Sequence, residues 1–424
     1  MNRVPKLRFK EFSEEWQEKR LEETINNEIK WSFTGGPFGS DLKSEDYTLE
    51  GIRVIQLQNI GDGKFINDNK IYTSIKKANN LISCNIYPND ILMSKMGDPV
   101  ARALIVPNYE NRYLMCSDGI RLVPDSNFYN NLFLMENINN KNFRKKAENA
   151  STGSTRKRIG LTELRKLTLN IPCLKEQEKI GNFLSSVDKK ISITEEKLDL
   201  FKDYKKGIMQ KIFNQELRFK DSNGNDYPEW EEKKLGELPI YISDGNYGEL
   251  YPKQEELLEQ GVPFIRVNNL KDSKINFKEM KYISKELHQI LLSGHLIESD
   301  ILVCTRGEIG IVAYVDSKFN GANINAQLCL LRIKDKNIIT PYFLLHLLNS
   351  YNIQKQFKEL QTGSALKQLP KKNLNKLVFN IPCLEEQQKI ANFLSSIDNK
   401  IDNLTSELED LKEFKKGLLQ QMFV

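Results

Sequence analysis

The chain has 424 residues, of which 39% are hydrophobic and 28% charged, and a formal net charge of +5. This composition excludes a disordered tract and leaves room for several domains with a sizeable core. No apolar run approaches the roughly 18 residues a bilayer span needs, MNRVPKLRFKEF lacks the apolar stretch of a secretory signal, and six cysteines without CxxC or zinc spacing point to free thiols in a reducing compartment.

In chain order, the first 170 residues read as α/β with many short strands. WSFTGGPFGS, with Trp31, Phe33 and Phe38, is a glycine-rich loop whose aromatics either approach a ligand or pack inside. The runs GIRVIQL, DILMSKM, ARALIVP and GIRLVP predict strands, punctuated by Gly, Asn, Asp and Pro. A helical segment is predicted over 131–148. Residues 141–166 then carry nine Lys or Arg against two Glu, among them Arg144, Lys145, Lys146, Arg156, Lys157 and Arg158. After Pro172 a helix of about 38 residues is predicted, roughly 57 Å long. Ile180, Leu184, Val187, Ile191, Leu198 and Phe201 form its heptad seam, interrupted at Thr194.

The same order then starts again. IPCLKEQEKIGNFLSSVDKKI from Ile171 returns as IPCLEEQQKIANFLSSIDNKI from Ile381, identical at 16 of 21 positions and offset by 210 residues. LRFK, the NDILMSKMGD/SDILVCTRGE pair, the STGSTRKRIG/QTGSALKQLP pair and the YKKGIMQKIFN/FKKGLLQQMFV ends recur at that offset, so 5–214 and 215–424 are two copies of one unit. In the second copy PFIRVNNL, DILVCTR, IGIVAYV and AQLCLLRI predict strands, and 341–360 a helical segment. Its long helix carries the seam Ile390, Leu394, Ile397, Ile401, Leu408 and Leu411. Similarity is very high over the last forty residues of each copy and sparse over the first 160. The expectation is that one part does the same job twice and the other related but different jobs, simple duplication with drift being the alternative.

Two packings suit the long helices. They pair with each other, which in the antiparallel arrangement relates the copies by a pseudo-two-fold axis, or each docks on its own domain. The expected domains are 1–170 and 215–380, globular and α/β (α+β), separated by the paired antiparallel coiled-coil helices of 171–214 and 381–424.

The side chains after the predicted strands are of the kind that read base edges. Gln56, Gln58 and Asn59 match Arg266, Asn268 and Asn269 in the second copy. Asn and Gln pair with adenine and Arg with guanine, although Asn and Gln also cap turns. Residues 353–377 form a second basic cluster, six Lys against one Glu, and both clusters flank a TGS triplet, Thr152 with Ser154 and Thr362 with Ser364; a glycine loop with hydroxyls and cations suits phosphate contact. Thr155, Lys95, Arg102, Arg306, Asn323, Asn325 and Lys367 complete the candidate DNA contacts. A solvated helix face is the alternative for either cluster.

No GxxxxGK[ST] loop, no HExxH and no adjacent prolines occur, and the three histidines lie in one copy only. No acid/base constellation recurs, so the expectation is a binding and scaffolding chain without catalytic residues, metal ligands or a cofactor of its own. A nuclease or methyltransferase, and a coiled-coil adaptor with two protein-binding heads, are the rival classes.

The two IPCLxEQxKIxNFLSSxDxKI blocks, the KKGxxQxxF helix ends and the SEEW…KRL and PEWEEKKLGEL starts resemble the specificity subunits of type I restriction-modification systems. The resemblance implies two target recognition domains, each reading half of a bipartite site in double-stranded DNA, and conserved helices that serve as spacer. It implies two docked modification subunits that supply S-adenosylmethionine and adenine methylation, and restriction/translocase subunits that use ATP and Mg. A bacterial cytoplasmic location and no membrane partner are expected. In the second copy Ala365 and Leu366 replace Thr155 and Arg156 of the TGS loop.

Overall fold

The structure, a computed structural model, describes residues 4–153, 156–248, 251–363 and 367–424. It comprises two compact units, one of Met1–Glu195 with Ser406–Val424 and one of Glu196–Thr405. The border falls inside the two long helices, Leu174–Phe213 and Leu384–Met422. Each unit therefore contains the start of one helix and the end of the other.

In the first unit an antiparallel sheet runs in the order Phe33–Gly35, Gly119–Leu122, Ile91–Ser94, Ala103–Ile105. A five-stranded mixed sheet runs Tyr47–Thr48, Ile71–Thr73, Ile52–Ile55, Tyr113–Met115, Asn85–Ile86, with Ile52–Ile55 and Tyr113–Met115 parallel. Ile91–Ser94 is buried on both faces, which explains its unbroken apolar run. Ile91 and Met93 join the core under the helices Asn131–Asn139 and Lys141–Asn149, whereas Leu92 joins the core of the five-stranded sheet.

The second unit repeats this plan. Its antiparallel sheet runs Ile240–Asp244, Leu328–Ile333, Ile301–Cys304, Val312–Tyr314, beside a three-stranded sheet of Lys281–Ile283, Val262–Ile265 and Asn323–Ile324. Ile301 and Val303 face the helical core and Leu302 and Cys304 the other, the alternation of a strand buried twice.

Two features differ from the sequence reading. The segments predicted as single helices over 131–148 and 341–360 are helix pairs, Asn131–Asn139 with Lys141–Asn149 and Pro341–Leu348 with Tyr351–Glu359. Asn140 is extended between the first pair and its side chain accepts from Asn142 N at 2.8 Å, so the capping residue that starts the second helix ends the first. The ribbons Gln17–Arg20 with Thr168–Ile171 and Glu231–Lys234 with Val378–Ile381 were not anticipated, because their charged, largely exposed first strands carry no apolar period.

The long helices begin on a lock that occurs twice. Glu176 is buried and accepts from Arg8 Nε and Nη2, each at 2.8 Å, and Glu386 accepts from Arg218 Nη2 at 2.9 Å and Trp230 Nε1 at 3.0 Å. The Glu176 carboxylate holds the Arg8 guanidinium above its ordinary pKa. Gln177 donates to Phe128 O and Pro172 O, and Gln387 to Ile338 O and Pro382 O. The Glu-Gln pair of each block thus joins three chain segments, where its buried polar groups are satisfied.

Both expected packings coexist within each unit. In the first, Ile180, Leu184 and Val187 share a core with Trp16 and Phe133 and with Leu418, Met422 and Phe423 from the other helix's end. In the second, Ile390, Leu394 and Ile397 share a core with Phe343 and with Met209, Ile212 and Phe213. Ile191, Phe201 and Ile401 are partly buried against these cores, Leu198 and Leu404 are buried, and Leu408 and Leu411 are half-buried. Within the first unit Lys415 pairs with Asp188 at 2.8 Å and Lys190 with Glu407 at 2.7 Å, so one number rises as the other falls and the segments run antiparallel.

A charged node lies on this pairing. Lys415 Nζ also reaches Glu136 Oε1 at 2.9 Å. Burial pushes the Glu136 carboxyl up to about 7, against the pull of Lys415. Burial opposes the charge of Lys415, but Glu136 and Asp188 outweigh it and hold the ammonium above its usual range. In the second unit Lys205 pairs with Asp398 at 2.5 Å, and the place of Glu136 is taken by buried His346, whose imidazole is pushed down to about 3 by burial and by Lys205.

Candidate nucleic-acid interface

In the first unit backbone hydrogen bonds gather five loops into one rim at the strand ends. Gly36 N donates to Gly119 O at 2.8 Å, and Cys116 N to Ile55 O at 2.9 Å. Lys95 N donates to Asp118 O at 2.7 Å, Ile159 N to Lys95 O at 3.0 Å and Gly97 N to Lys157 O at 3.2 Å. Thr152 and Arg158 exchange two bonds of 2.9 Å and so pin the ends of the TGS loop. A Cβ on Gly36 would lie 1.7 Å from Cys116 O, so only glycine lets the aromatic loop approach the rim this closely.

The second unit builds the same rim. Gly245 N donates to Leu328 O at 3.3 Å, Asn325 N to Ile265 O at 2.9 Å, Thr305 N to Gln327 O at 2.9 Å and Leu369 N to Thr305 O at 2.8 Å, while Thr362 and Gln368 exchange two bonds of 2.9 Å. The frame is duplicated and the side chains on it differ. Met96 and Arg158 of the first rim stand where Arg306 and Gln368 stand in the second, in the same bridging positions.

The candidate contacts divide by burial. Gln58 and Asn268 are exposed, and Gln56 and Arg266 half-buried, on matching turns. Gln58 Nε2 donates to Gln56 Oε1 at 3.1 Å, and Arg266 Nη2 to Glu279 O at 2.5 Å. Asn59 and Asn269 are buried between them. Asn59 Oδ1 accepts from Gln56 N at 2.9 Å and its amide donates to Ile66 O and Asp68 O; Asn269 does the same with Arg266 N at 3.0 Å and Lys278 O. These two close the turn that presents their neighbours.

Lys95 and Arg102 are half-buried, and Thr152, Arg156, Lys157 and Arg158 are exposed. Arg158 Nη2 lies 3.1 Å from Asp118 Oδ1. Lys145 is exposed on the helix Lys141–Asn149, but Arg144 is buried, donating to Asp62 and Asn139 at 2.6 Å each, and burial lowers its guanidinium's pKa. Arg306, Thr362 and Lys367 are exposed on the second rim, whereas Asn323 and Asn325 are buried, Asn323 against His288 and Asn325 against Gln327 at 2.9 Å. Ser154, Thr155 and Ser364 lie outside the described residues. Tyr247 is a further residue of this rim that is absent from the candidate contacts; its ring centre is 4.6 Å from the Arg306 guanidinium. The available signal was SDGNYGEL, a glycine-rich loop at the place of WSFTGGPFGS.

The family model for the type I restriction modification DNA specificity domain matches residues 14–201 and again 227–413. The chain belongs to that family. It is 31% identical to a putative type I restriction enzyme MjaX specificity subunit of Methanocaldococcus jannaschii over 50% of this chain and 49% of the relative. It is 26% identical to the MjaVIII specificity subunit of the same organism over 84% of this chain and 83% of that one. Among solved structures, the S subunit of a type I system from M. genitalium aligns over 99% of both chains with TM-score 0.64 at 17% identity. A chain from a structure of type I system assembly and conformational transition aligns over 96% of this chain and 97% of its own, with TM-score 0.54 and 16% identity. The fold is that of these specificity subunits, and a specificity subunit is the DNA-recognition component of such a system, with two target recognition domains, rather than its catalytic one.

Proposed function

We propose that each rim reads one half of a bipartite site in double-stranded DNA, with residues 1–170 and 215–380 as the recognition domains and 171–214 and 381–424 as spacer helices. The observation that carries this reading is a duplicated backbone frame with unlike side chains: Gln56 and Gln58 on one rim correspond to Arg266 and Asn268 on the other. A fixed frame with exchangeable side chains is what two different base sequences require of one fold. Lys95, Arg156, Lys157, Arg158 and Lys367 supply phosphate contacts.

The helices set the gap between half-sites and dock two adenine methyltransferase subunits, which hold S-adenosylmethionine; restriction subunits bring ATP and Mg. Assembly on chromosomal DNA places the chain in the cytoplasm. Each helix is unbroken across the border between units, so its length is available as a ruler. Inserting seven residues at the border of both helices adds about 10 Å, or about three base pairs of duplex. Sequencing of methylated motifs from cells with the lengthened chain should then show the same two half-sites with a changed gap, or no methylation. An unchanged gap rejects the ruler.

A further inference from the structure

A guanidinium fork that is not already engaged is a common means of reading guanine, through its O6 and N7 acceptors. Residues 196–405 contain four arginines, Arg218, Arg266, Arg306 and Arg332. Arg218 is held by Glu386 at 2.9 Å, Arg332 by both oxygens of Asp300 at 2.9 and 2.8 Å, and Arg266 by Glu279 O at 2.5 Å. Arg306 alone has no acceptor for its guanidinium among the described residues. It is exposed, and its Cζ lies 4.6 Å from the centre of the Tyr247 ring.

Its backbone is fixed as firmly as any on the rim. Arg306 bridges to Gln368, its carbonyl accepts from Cys304 Sγ at 3.1 Å, and the preceding Thr305 is bonded on both sides, to Gln327 O and from Leu369 N. Asp244, Tyr247, Gln368 and Lys371 line a recess with it. A phosphate contact needs charge but no fixed plane, and Lys367 and Lys371 already provide charge nearby. A planar fork held against an aromatic ring suits the O6 and N7 acceptors of guanine, and loses little freedom on binding.

We infer that Arg306 reads a guanine in the half-site of the second unit, with Tyr247 as the residue that positions its fork. The inference rests on the proposed half-site reading. Met96 stands at the same rim position in the first unit, bridging to Arg158, and carries no group able to read guanine, so this guanine belongs to one half of the site only.

The test uses the full chain with its modification subunits, Arg306→Ala, Arg306→Lys and Tyr247→Ala variants, motif sequencing of chromosomal DNA, and binding to duplexes of the wild-type motif. Thermal melting controls for folding. Arg306→Ala should relax one guanine position of one half-site, lower affinity for the intact motif about 10- to 100-fold and leave affinity for a duplex changed at that guanine nearly unaltered. Arg306→Lys, which keeps the charge and loses the fork, should relax the same position. Tyr247→Ala should weaken discrimination there by a smaller factor. A motif unchanged in Arg306→Ala, or an equal loss on every duplex, overturns the inference and leaves the half-site reading standing. A wild-type chain that directs methylation to no bipartite motif overturns the half-site reading itself.

Discussion

Replacing Arg156, Lys157 and Arg158 together by alanine is expected to lower affinity for duplex DNA by roughly 100-fold near physiological salt, when measured with the modification subunits present. All three side chains are exposed at the mouth of the TGS loop, whose ends are pinned by the Thr152–Arg158 bonds of 2.9 Å, so their loss removes charge without opening the frame. Neutralising a phosphate contributes about 0.9 to the slope of log affinity against log salt. Three full contacts would reduce the slope by about 2.7. Arg158 leaves Asp118, 3.1 Å away, in order to bind phosphate, so its net contribution is smaller and a reduction between about 2 and 3 is expected. Since the charge is read without regard to base, cognate and unrelated duplexes should lose affinity alike, while the methylated motif stays the same. A slope equal to that of the wild type shows that the three residues are ordinary surface.

The second large effect is one of pH, with opposite signs at matched positions of the two units. Glu136 titrates at about 7 in the folded chain and near 4.5 when unfolded. Its protonated form suits the buried site, so its contribution is present in full below pH 4.5 and is lost as pH rises through 7. Over that interval the loss is about 3 kcal/mol, because a tenfold change in proton affinity between the folded and unfolded chain corresponds to about 1.4 kcal/mol. His346 titrates at about 3 in the folded chain and near 6.5 when unfolded. Here the neutral ring suits the site, the contribution is present above pH 6.5 and is lost as pH falls towards 3, by about 2 kcal/mol already at pH 5. Unfolding of Glu136→Gln and His346→Gln should therefore diverge from the wild type in opposite directions. Between pH 5 and 7.5 the Glu136→Gln chain should gain on the wild type as pH rises, because glutamine cannot ionise while Lys415 keeps Asp188. His346→Gln should gain on the wild type as pH falls. Stability curves that run parallel to the wild type for both variants would show that neither group titrates as its burial dictates.

What the sequence displayed depended on the distance at which each residue finds its partner. The heptad positions from Ile180 to Phe201 were legible because a helix repeats its buried face locally, and the offset of 210 residues made the second helix legible from the first. Glu176 and Gln177 were visible as a repeated pair, but their roles were not, since Arg8 lies 168 residues from Glu176. The strand Gln17–Arg20 is set by pairing with Thr168–Ile171 rather than by its own composition. The rim shows the same limit. Gln58 and Asn59 are adjacent amide residues with the same capacity to read adenine, yet one is exposed and the other is fully enclosed by Gln56 N, Ile66 O and Asp68 O. Arg144 and Lys145 stand together in a basic run, and only the helix register decides that the arginine turns inward to Asp62. Residue type alone does not distinguish them, while burial and hydrogen bonding separate the residues that frame the rim from those left exposed on it.

The central claim is that two recognition units read two halves of one split site independently. Exchange of residues 1–170 for the corresponding segment of another specificity subunit, followed by sequencing of methylated motifs in cells carrying the hybrid with its modification subunits, tests it most directly. The expected motif is one in which one half changes to that of the donor while the other half is retained base for base. A hybrid that folds and methylates but changes both halves, or neither, would contradict it.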